Sequence, residues 1–241
     1  MSFKKNKQFY KAIIVSDELY PESIKLIESL GIEIYSSFCN TNVSKPLCRH
    51  VDMQLVKIGD IYVCAPECYE YYESIFKKFN LKLINGVTKL SSNYPCDIAY
   101  NITVTEKIAV HNFKYTDTIL KENLSDKKCI YVSQGYSKCS ICIVGGEKFI
   151  TSDMGIVRSL SSNECDVLDV SCGHIELPGF DHGFIGGASF ELGKGILAFN
   201  GNINAHPDSA LIKNFCESAN VELISLSEQT LMDIGSAVII E

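Results

Sequence analysis

Apolar and polar positions along the chain alternate with the periods of strands and helices, and the same order of elements recurs. The segment KAIIVSDELYPESIKLIESLGIEIYSS predicts strand, helix and strand, because apolar runs flank a stretch with Ile and Leu at helical spacing. Acidic residues and a Pro in its first turn mark where this helix begins. The next segment, HVDMQLVKIGDIYVCAPECYEYYESIFKKFNLKLINGV, predicts strand, turn, strand, helix and strand.

Three later segments repeat this order, and the chain then ends on a lone strand, DIGSAVIIE. The hairpin turns of the four complete units are predicted at Gly59 and Asp60, Thr105 and Glu106, Gly145 and Gly146, and Gly193 and Lys194. The first unit begins one strand short, so the C-terminal strand completes it. The pattern therefore predicts a mixed α/β fold, a pseudo-fivefold propeller of ββαβ modules whose ring is closed by the C-terminal strand.

An open, doubly wound α/β sheet is the alternative, since it also alternates strands with helices. The hairpin that opens each unit favours the propeller, because parallel sheets lack regular hairpins. No linker or shift in composition divides the chain, and a single domain over residues 1–241 is predicted.

Charge and cysteine usage narrow the expected partners and compartment. The formal net charge is −7, and acidic and basic residues are interspersed along the chain. This argues against a nucleic-acid partner, whose phosphates need a basic surface, but it is compatible with a small cationic substrate. No apolar run approaches the roughly 18 residues of a membrane span, and no secretory signal is recognisable. The eleven cysteines are odd in number and irregularly spaced, so we expect a soluble cytoplasmic protein with mostly free thiols.

Three short motifs carry a resemblance to a known family: CRHVDMQLV, QGYSKCSICIV and LMDIGSAVI. Together with the five-module pattern, they resemble the pentein superfamily of guanidine-modifying enzymes, which includes arginine and agmatine deiminases, dimethylarginine hydrolases and amidinotransferases. The resemblance implies that Cys139 is a nucleophile, His50 a general acid and base, and Asp233 the carboxylate that orients the histidine. Most relatives place a Glu at the last position.

The resemblance also implies a substrate-binding set. Asp52 is expected to contact a guanidinium group, and Asn101, Gly187 and Ser189 are assigned to substrate binding with it. His50 and Asp52 are predicted to point the same way along an extended segment. Relatives hold a second acidic residue where GFIGGASFEL has Gly and Ala, so an amidine or a ureido compound is an open alternative to a guanidine.

The remaining motifs have simpler interpretations. Cys139 and Cys142 lie three apart in a predicted strand and should face opposite sides of it, so they share neither a metal nor a disulfide. No cofactor and no metal is expected, although a zinc site at Cys64 and Cys68 stays open and would need two more ligands. The irregular segment SCGHIELPGFDHGF is predicted to cover one mouth of the channel, with Asp181 and His182 as weaker site candidates.

The predicted function is a hydrolase or transferase that acts on a small guanidino or amidino compound by covalent cysteine catalysis. The alternative is a non-catalytic binding or scaffolding protein, similar in fold to the ribosomal anti-association factor of the same superfamily. Neither membrane nor nucleic-acid partners are expected, and the oligomeric state is left open.

Overall fold

The strands of the chain pair in five separate sheets of three strands each. The computed structural model describes residues 8–241. In chain order the strands are β1 (Ala12–Val15), β2 (Glu33–Ser36), β3 (Leu55–Ile58), β4 (Ile61–Cys64), β5 (Lys82–Asn85), β6 (Thr103–Val104), β7 (Ile108–His111), β8 (Lys128–Tyr131), β9 (Cys142–Gly145), β10 (Lys148–Thr151), β11 (Asp166–Asp169), β12 (Ser189–Gly193), β13 (Ile196–Phe199), β14 (Glu222–Ser225) and β15 (Ala237–Ile240).

Helices connect the second and third strands of the sheets or precede their first strands. The α-helices are α1 (Pro21–Ser29), α2 (Tyr69–Phe76), α3 (Thr118–Glu122), α4 (Ser137–Ser140), α5 (Met154–Ser161) and α6 (Ser209–Ser218). Turns of 3-10 helix occupy Lys45–Leu47, Val51–Met53, Pro66–Cys68, Lys77–Phe79 and Ile203–Ala205. Within residues 8–241, no helix combines the length and the apolar character needed to cross a membrane.

Each sheet uses the same pairing, which defines a module. The first strand is antiparallel to the second, and the second is parallel to the third. The modules are β3-β4-α2-β5, β6-β7-α3-β8, β9-β10-α5-β11 and β12-β13-α6-β14, with β15-β1-α1-β2 as the fifth. The predicted set of five ββαβ modules is confirmed.

The C-terminal strand closes the ring as predicted. Strand β15 pairs antiparallel with β1, with Ala12 opposite Ile240 and Val15 opposite Ala237, while β2 pairs with β1 in parallel on the other side. The last strand of the chain therefore supplies the first strand of the N-terminal module, and β1 is not left as an exposed edge.

Local signals in the sequence explain where the helices start. Helix α1 begins at Pro21, which suits a first helical position because its missing N–H would be unpaired there anyway. Helix α3 is capped by Asp117, whose Oδ1 accepts from the backbone N–H of Ile119 at 2.9 Å. Helix α5 is capped by Asp153 in the same way, through the N–H of Gly155 at 2.7 Å.

The three strands of a module differ in how deeply they are buried. The middle strands β1, β7 and β13 are buried at all four positions, whereas the third strands β2, β5 and β11 are exposed at their ends. The first strands contact one another around the ring: β15 contacts β3 and β12, β3 contacts β6, and β9 contacts β12. The first strands therefore lie at the centre, where their preceding turns meet, and the third strands lie at the periphery.

Two of these central turns differ from the extended conformation that the sequence predicted. His50 precedes the 3-10 turn Val51–Met53, which contains Asp52, so the two residues do not share the face of an extended strand. Cys139 lies in α4 and not in a strand, which begins only at Cys142. Both predictions were wrong because distant partners pair with the turn backbone: the N–H of Asp52 donates to the carbonyl of Gly235 at 3.2 Å.

Candidate active site

A cavity of about 250 Å³ opens beside the turns that precede β3 and β9. Its walls combine apolar and aromatic side chains with a few polar groups, a composition typical of small-molecule sites. The lining residues are Leu47, His50, Tyr136, Cys139, Leu177, Phe180, Asp181, His182, Phe184 and Asp233.

Three buried side chains from two modules meet at the inner end of the cavity. The Sγ of Cys139 donates a hydrogen bond to Oδ2 of Asp52 at 3.0 Å. His50, Asp52 and Cys139 each offer one atom such that these atoms all lie within 4.8 Å of one another. No side chain of the three is more than 3% exposed. The structure therefore brings together a thiol, an imidazole and a carboxylate that are up to 89 residues apart in the sequence.

Asn101, from the turn before β6, fixes the position of the thiol. Its Oδ1 accepts from the backbone N–H groups of Lys138 at 2.9 Å and Cys139 at 3.2 Å. Its Nδ2 lies 3.0 Å from the Cys139 Sγ and 3.3 Å from the carbonyl oxygen of Asp52. Asn101 thus links the turn that carries the thiol to the turn that carries the carboxylate, and directs an N–H at the sulfur.

His50 is buried with neither ring nitrogen paired. Among residues 8–241, Nδ1 and Nε2 of His50 and Oδ1 of Asp52 have no hydrogen-bond partner. The nearest carboxylate to the ring is Asp233, whose Oδ1 lies 3.8 Å from Nδ1. Because nearly all buried polar atoms in proteins are paired, these unpaired atoms beside a cavity indicate positions where a ligand would complete the hydrogen bonding.

Asp233 is itself held by the backbone. Its Oδ2 accepts from the N–H of Phe184 at 2.9 Å, and its Oδ1 accepts from the N–H of Gly235 at 3.0 Å. Gly235 has φ of +72° and its Cα faces His50, so a side chain there would be strained and would displace the imidazole. These contacts keep a carboxylate directly beside the histidine ring.

The surroundings of Cys139 favour the neutral thiol. Burial raises the pKa of Cys139 well above its usual value, and the carboxylates of Asp52 and Asp233 raise it further, while the hydrogen bond from Asn101 lowers it. Burial also raises the pKa of Asp233, and the nearby His50 opposes that shift. A cation placed between these carboxylates would lower the pKa of Cys139, because a positive charge offsets the carboxylates and favours the thiolate.

None of the four residues assigned to substrate binding, Asp52, Asn101, Gly187 and Ser189, is among the lining residues of the cavity, and their binding role stays a prediction. Asp52 and Asn101 contact the Cys139 thiol from behind, whereas Gly187 supports the backbone around it. The N–H of Gly187 donates to the carbonyl of Cys139 at 2.9 Å, and its own carbonyl accepts from the N–H of Ser236 at 2.7 Å. A Cβ on Gly187 would overlap the carboxylate of Asp233. The glycine therefore makes room for Asp233 in the region where relatives are expected to hold a second acid.

Ser189 lies in the wall behind the site. Its Oγ faces the carbonyl of Gly186 at 3.4 Å, and its carbonyl accepts from the hydroxyl of Ser236 at 2.8 Å. It therefore joins β12 to the segment between Asp233 and β15.

The irregular segment before β12 supplies half of the residues that line the cavity, and its predicted place over one mouth of a channel stays a prediction. It contributes Leu177, Phe180, Asp181, His182 and Phe184 to the lining. The segment is anchored by the backbone N–H of Glu176, which donates to the carbonyl of Leu231 at 2.8 Å. The Nδ1 of His182 lies 3.1 Å from the carbonyl of Gly183, so this ring is engaged at the rim.

Tyr136 is a lining residue that the sequence did not suggest. It directly precedes α4, and its hydroxyl donates to Oδ2 of Asp97 at 2.6 Å. Burial raises the pKa of Asp97, against the lowering effect of that hydrogen bond. Its position three residues before Cys139 could have indicated a place in the site. Its hydrogen-bond partner Asp97 could not be inferred in this way, because it lies 39 residues away in the sequence.

The other cysteines occupy different surroundings. Within residues 8–241, Cys64 and Cys68 belong to no group of three metal-ligating side chains, so the structure gives no support to a zinc site there. Cys68 Sγ lies 3.7 Å from Oε1 of Gln54. Cys142 packs in an apolar cluster that includes Val144 and Ile150, which keeps it apart from Cys139 as expected.

A model described as a family of unknown function (DUF6873) matches residues 14–238 of the chain. The chain belongs to this family. No curated protein matches the sequence.

Solved structures similar to this DUF6873 member share its architecture over almost the whole length. Agmatine deiminase from C. jejuni has a TM-score of 0.57 at 11% identity, covering 99% of this chain and 95% of its own. SxtG, an amidinotransferase of saxitoxin biosynthesis from Microseira wollei, has a TM-score of 0.56 at 9% identity, covering 95% of each chain. DDAH from Pseudomonas aeruginosa, a C249S mutant complexed with citrulline, has a TM-score of 0.55 at 7% identity, covering 92% and 93%.

These similarities confirm the predicted pentein fold for the DUF6873 chain. At such low identity they concern the fold alone, so the roles of His50, Asp52, Cys139 and Asp233 rest on the geometry of this structure.

Proposed function

We propose that this protein is a hydrolase or transferase that acts on a small guanidino or amidino compound by covalent catalysis through Cys139. The observation that carries the proposal is the buried His50 ring, unpaired within residues 8–241, which lines a cavity together with the Cys139 thiol. Asp52, whose Oδ1 is also unpaired among these residues, lies behind the thiol. Perturbed, desolvated groups clustered in a cleft are characteristic of active sites. The three enzymes of similar fold, named as an agmatine deiminase, an amidinotransferase and a dimethylarginine dimethylaminohydrolase, support the choice of substrate class.

Binding comes first, and Asp52 is suited to it. Its Oδ1 is buried and unpaired, while its Oδ2 accepts from Cys139. A planar amidinium or guanidinium group can donate an N–H to Oδ1, with a charge-assisted hydrogen bond. The bound cation then lowers the pKa of the adjacent thiol, since it offsets the carboxylates of Asp52 and Asp233 that had raised it.

The first chemical step forms a carbon–sulfur bond. Cys139 passes its proton to His50, and the thiolate attacks the central carbon of the substrate to give a tetrahedral adduct. The carbon–nitrogen bond to the leaving amine then breaks, and the amine departs with its electron pair and a proton from His50. An amidino-thioether on Cys139 is left.

The second step regenerates the free thiol. His50 takes a proton from water, and the resulting hydroxide attacks the same carbon to give a second tetrahedral adduct. The carbon–sulfur bond then breaks, which releases a urea from a guanidino compound or an amide from an amidino compound once the hydroxyl proton is lost to solvent, and the thiolate takes back the proton held by His50. An acceptor amine in place of water makes the protein a transferase. Asp233, 3.8 Å from the ring, stabilises the imidazolium formed when His50 carries the proton. Asn101 stabilises the thiolate through its N–H directed at the sulfur.

Selective alkylation with chloroacetamidine, a cationic analogue with a displaceable chloride, tests the proposal. We expect the reagent to modify Cys139 first among the eleven cysteines near pH 7, because its amidinium group can bind between Asp52 and Asp233 and so favour the thiolate of Cys139 beside His50. The His50→Ala variant should lose the selectivity, and the Cys139→Ser variant should give no adduct at this position and no turnover of guanidino or amidino substrates.

The exposed Cys96 provides the matched control. A Cys96→Ser variant should retain the labelling of Cys139, as read by peptide mass mapping. Slow and uniform labelling of all cysteines, or unchanged selectivity in the His50→Ala variant, would contradict the enzyme and favour a non-catalytic binding protein.

A further inference from the structure

Apart from the histidines His50 and His182, the ionisable side chains that line the cavity and carry a charge at neutral pH are acidic. Two of its lining residues, Asp181 and Asp233, are acidic, and Asp52 lies directly behind the thiol. Among the lining residues found within 8–241, none is a Lys or an Arg. The cavity therefore offers no permanent cation to pair with an anionic group of a ligand.

The two cations next to site residues in the sequence are directed elsewhere. Arg49, beside His50, donates to the carbonyl of Ser37 at 2.9 Å and lies 3.4 Å from the carboxylate of Asp17. Lys138, beside Cys139, donates through Nζ to the hydroxyl of Ser236 at 2.9 Å. Neither side chain lines the cavity.

Apolar side chains form much of the cavity wall. Leu47 and Leu177 are buried and Phe184 is half-buried, while Asp181 and Phe180 are exposed and mark the side that faces solvent. A carboxylate drawn into this space would lose its hydration, which is costly, would find no Lys or Arg among the described lining residues, and would face the carboxylates already present.

We infer that, given the proposed function, the site selects a guanidine or amidine whose tail lacks a carboxylate and favours a tail that ends in an amine. Asp181 is the specificity-determining residue in this arrangement. A substrate with its amidino group at Cys139 and a short chain along the apolar walls places the end of that chain near Asp181, where an ammonium group is attracted and a carboxylate repelled.

Three probes of equal chain length test this inference: butylguanidine with a neutral tail, agmatine with an amine tail, and 4-guanidinobutanoate with a carboxylate tail. Their dissociation constants are measured by calorimetry on the Cys139→Ser variant, in which binding is separated from turnover. We expect agmatine to bind at least about tenfold more tightly than 4-guanidinobutanoate, with butylguanidine between them. Raising the salt concentration from about 0.05 to about 0.5 M should reduce this ratio, because the charge at the mouth is exposed.

The Asp181→Asn change, made in the same background, identifies the residue responsible. The affinity for agmatine, divided by that for butylguanidine, should fall by about two- to fivefold, because an exposed ion pair contributes about that much to an affinity. The Asp60→Asn change removes an equal charge from an exposed hairpin turn outside the cavity lining and should leave the ratio as it was.

A carboxylate probe that binds as tightly as agmatine, or no binding by any probe, overturns the inference. Protection of Cys139 in the native sequence against iodoacetamide by the same probes gives a second measurement if the Cys139→Ser variant does not fold. If the native protein binds the probes in the expected order but turns over no guanidino or amidino compound, the proposed function is contradicted and the inference about affinity is not. The two failures are therefore distinguishable.

Discussion

Replacing Asn101 with Asp tests how the protein stabilises the reactive sulfur. The two side chains have the same shape, so Asp can still accept from the backbone N–H groups of Lys138 and Cys139 through one oxygen. What changes is the group facing the sulfur: an N–H donor at 3.0 Å becomes a carboxylate oxygen. The substitution therefore alters the electrostatics of the thiolate while retaining the contacts that shape its turn.

The expected size of the effect follows from two contributions. Losing a hydrogen bond to a charged group costs about 1.5–3 kcal/mol. A carboxylate about 4 Å from the thiolate adds about 4 kcal/mol of repulsion at the effective dielectric constant typical of proteins. The new carboxyl can relieve the repulsion by binding a proton, so the first contribution sets the minimum: the pKa of Cys139 should rise by at least about one unit.

The rate of Cys139 alkylation by iodoacetamide, followed between about pH 7 and pH 10, measures this change, because only the thiolate reacts at a useful rate. Below its pKa the thiolate fraction falls tenfold per unit, so the Asn101→Asp variant should react at least about tenfold more slowly than the native protein. The Asn204→Asp variant introduces the same charge at an exposed position far from Cys139 in the sequence and should react at the native rate.

A rate within about threefold of the native value, in an Asn101→Asp protein that melts at the native temperature, would refute this reasoning. It would mean that the N–H of Asn101 contributes nothing to the stability of the thiolate, and that Asn101 serves only to hold the turn.

Two further predictions concern stability. Burial lowers the pKa of His111 from 6.5 to about 4, so between these pH values the unfolded chain binds a proton that the folded protein does not. The free energy of unfolding should therefore keep its full contribution from His111 above about pH 6.5 and fall by up to about 3 kcal/mol as the pH drops towards 4. Urea unfolding should show a smaller loss over this range for the His111→Gln variant, and an identical loss would assign it to other groups. The Gly187→Ala change should lower the free energy of unfolding by about 1–3 kcal/mol, because the methyl group overlaps the Asp233 carboxylate. The Gly155→Ala change, whose Cβ would meet only the side chain of Asp153, should cost less in the same urea unfolding measurement, and equal costs would contradict the overlap argument.

The order of modules could be derived from the chain because each element is encoded locally. The middle strands are continuous apolar runs such as AIIV and ILAF, and they are buried at every position. Helix starts are marked by a Pro at Pro21 and by the capping carboxylates of Asp117 and Asp153. The closing strand could be assigned to the first module because that unit lacked one strand, and an unpaired strand edge is unfavourable.

The motifs also placed Cys139, His50, Asp52 and Asp233 on the list of site residues, and the tertiary structure brings them to the same cavity, with Asp52 behind the thiol. Their catalytic roles stay predictions, and so does the substrate-binding role of Asn101. The weaker candidates Asp181 and His182 were found through the irregularity of their segment, since a long connection between modules commonly lies over a site.

Only the tertiary structure decided the local conformation at the site and which neighbours support it. His50 precedes a 3-10 turn and Cys139 lies in the short helix α4, and neither is in a strand, because the backbone at each place pairs with partners from other modules, such as Gly235 and Asn101. The role of Gly187 is visible only beside Asp233, 46 residues later in the chain. The spacing of apolar residues predicts which face of each helix or strand is buried. It does not predict the hydrogen bonds that shape this site, because these join residues that become neighbours only when the ring of modules closes.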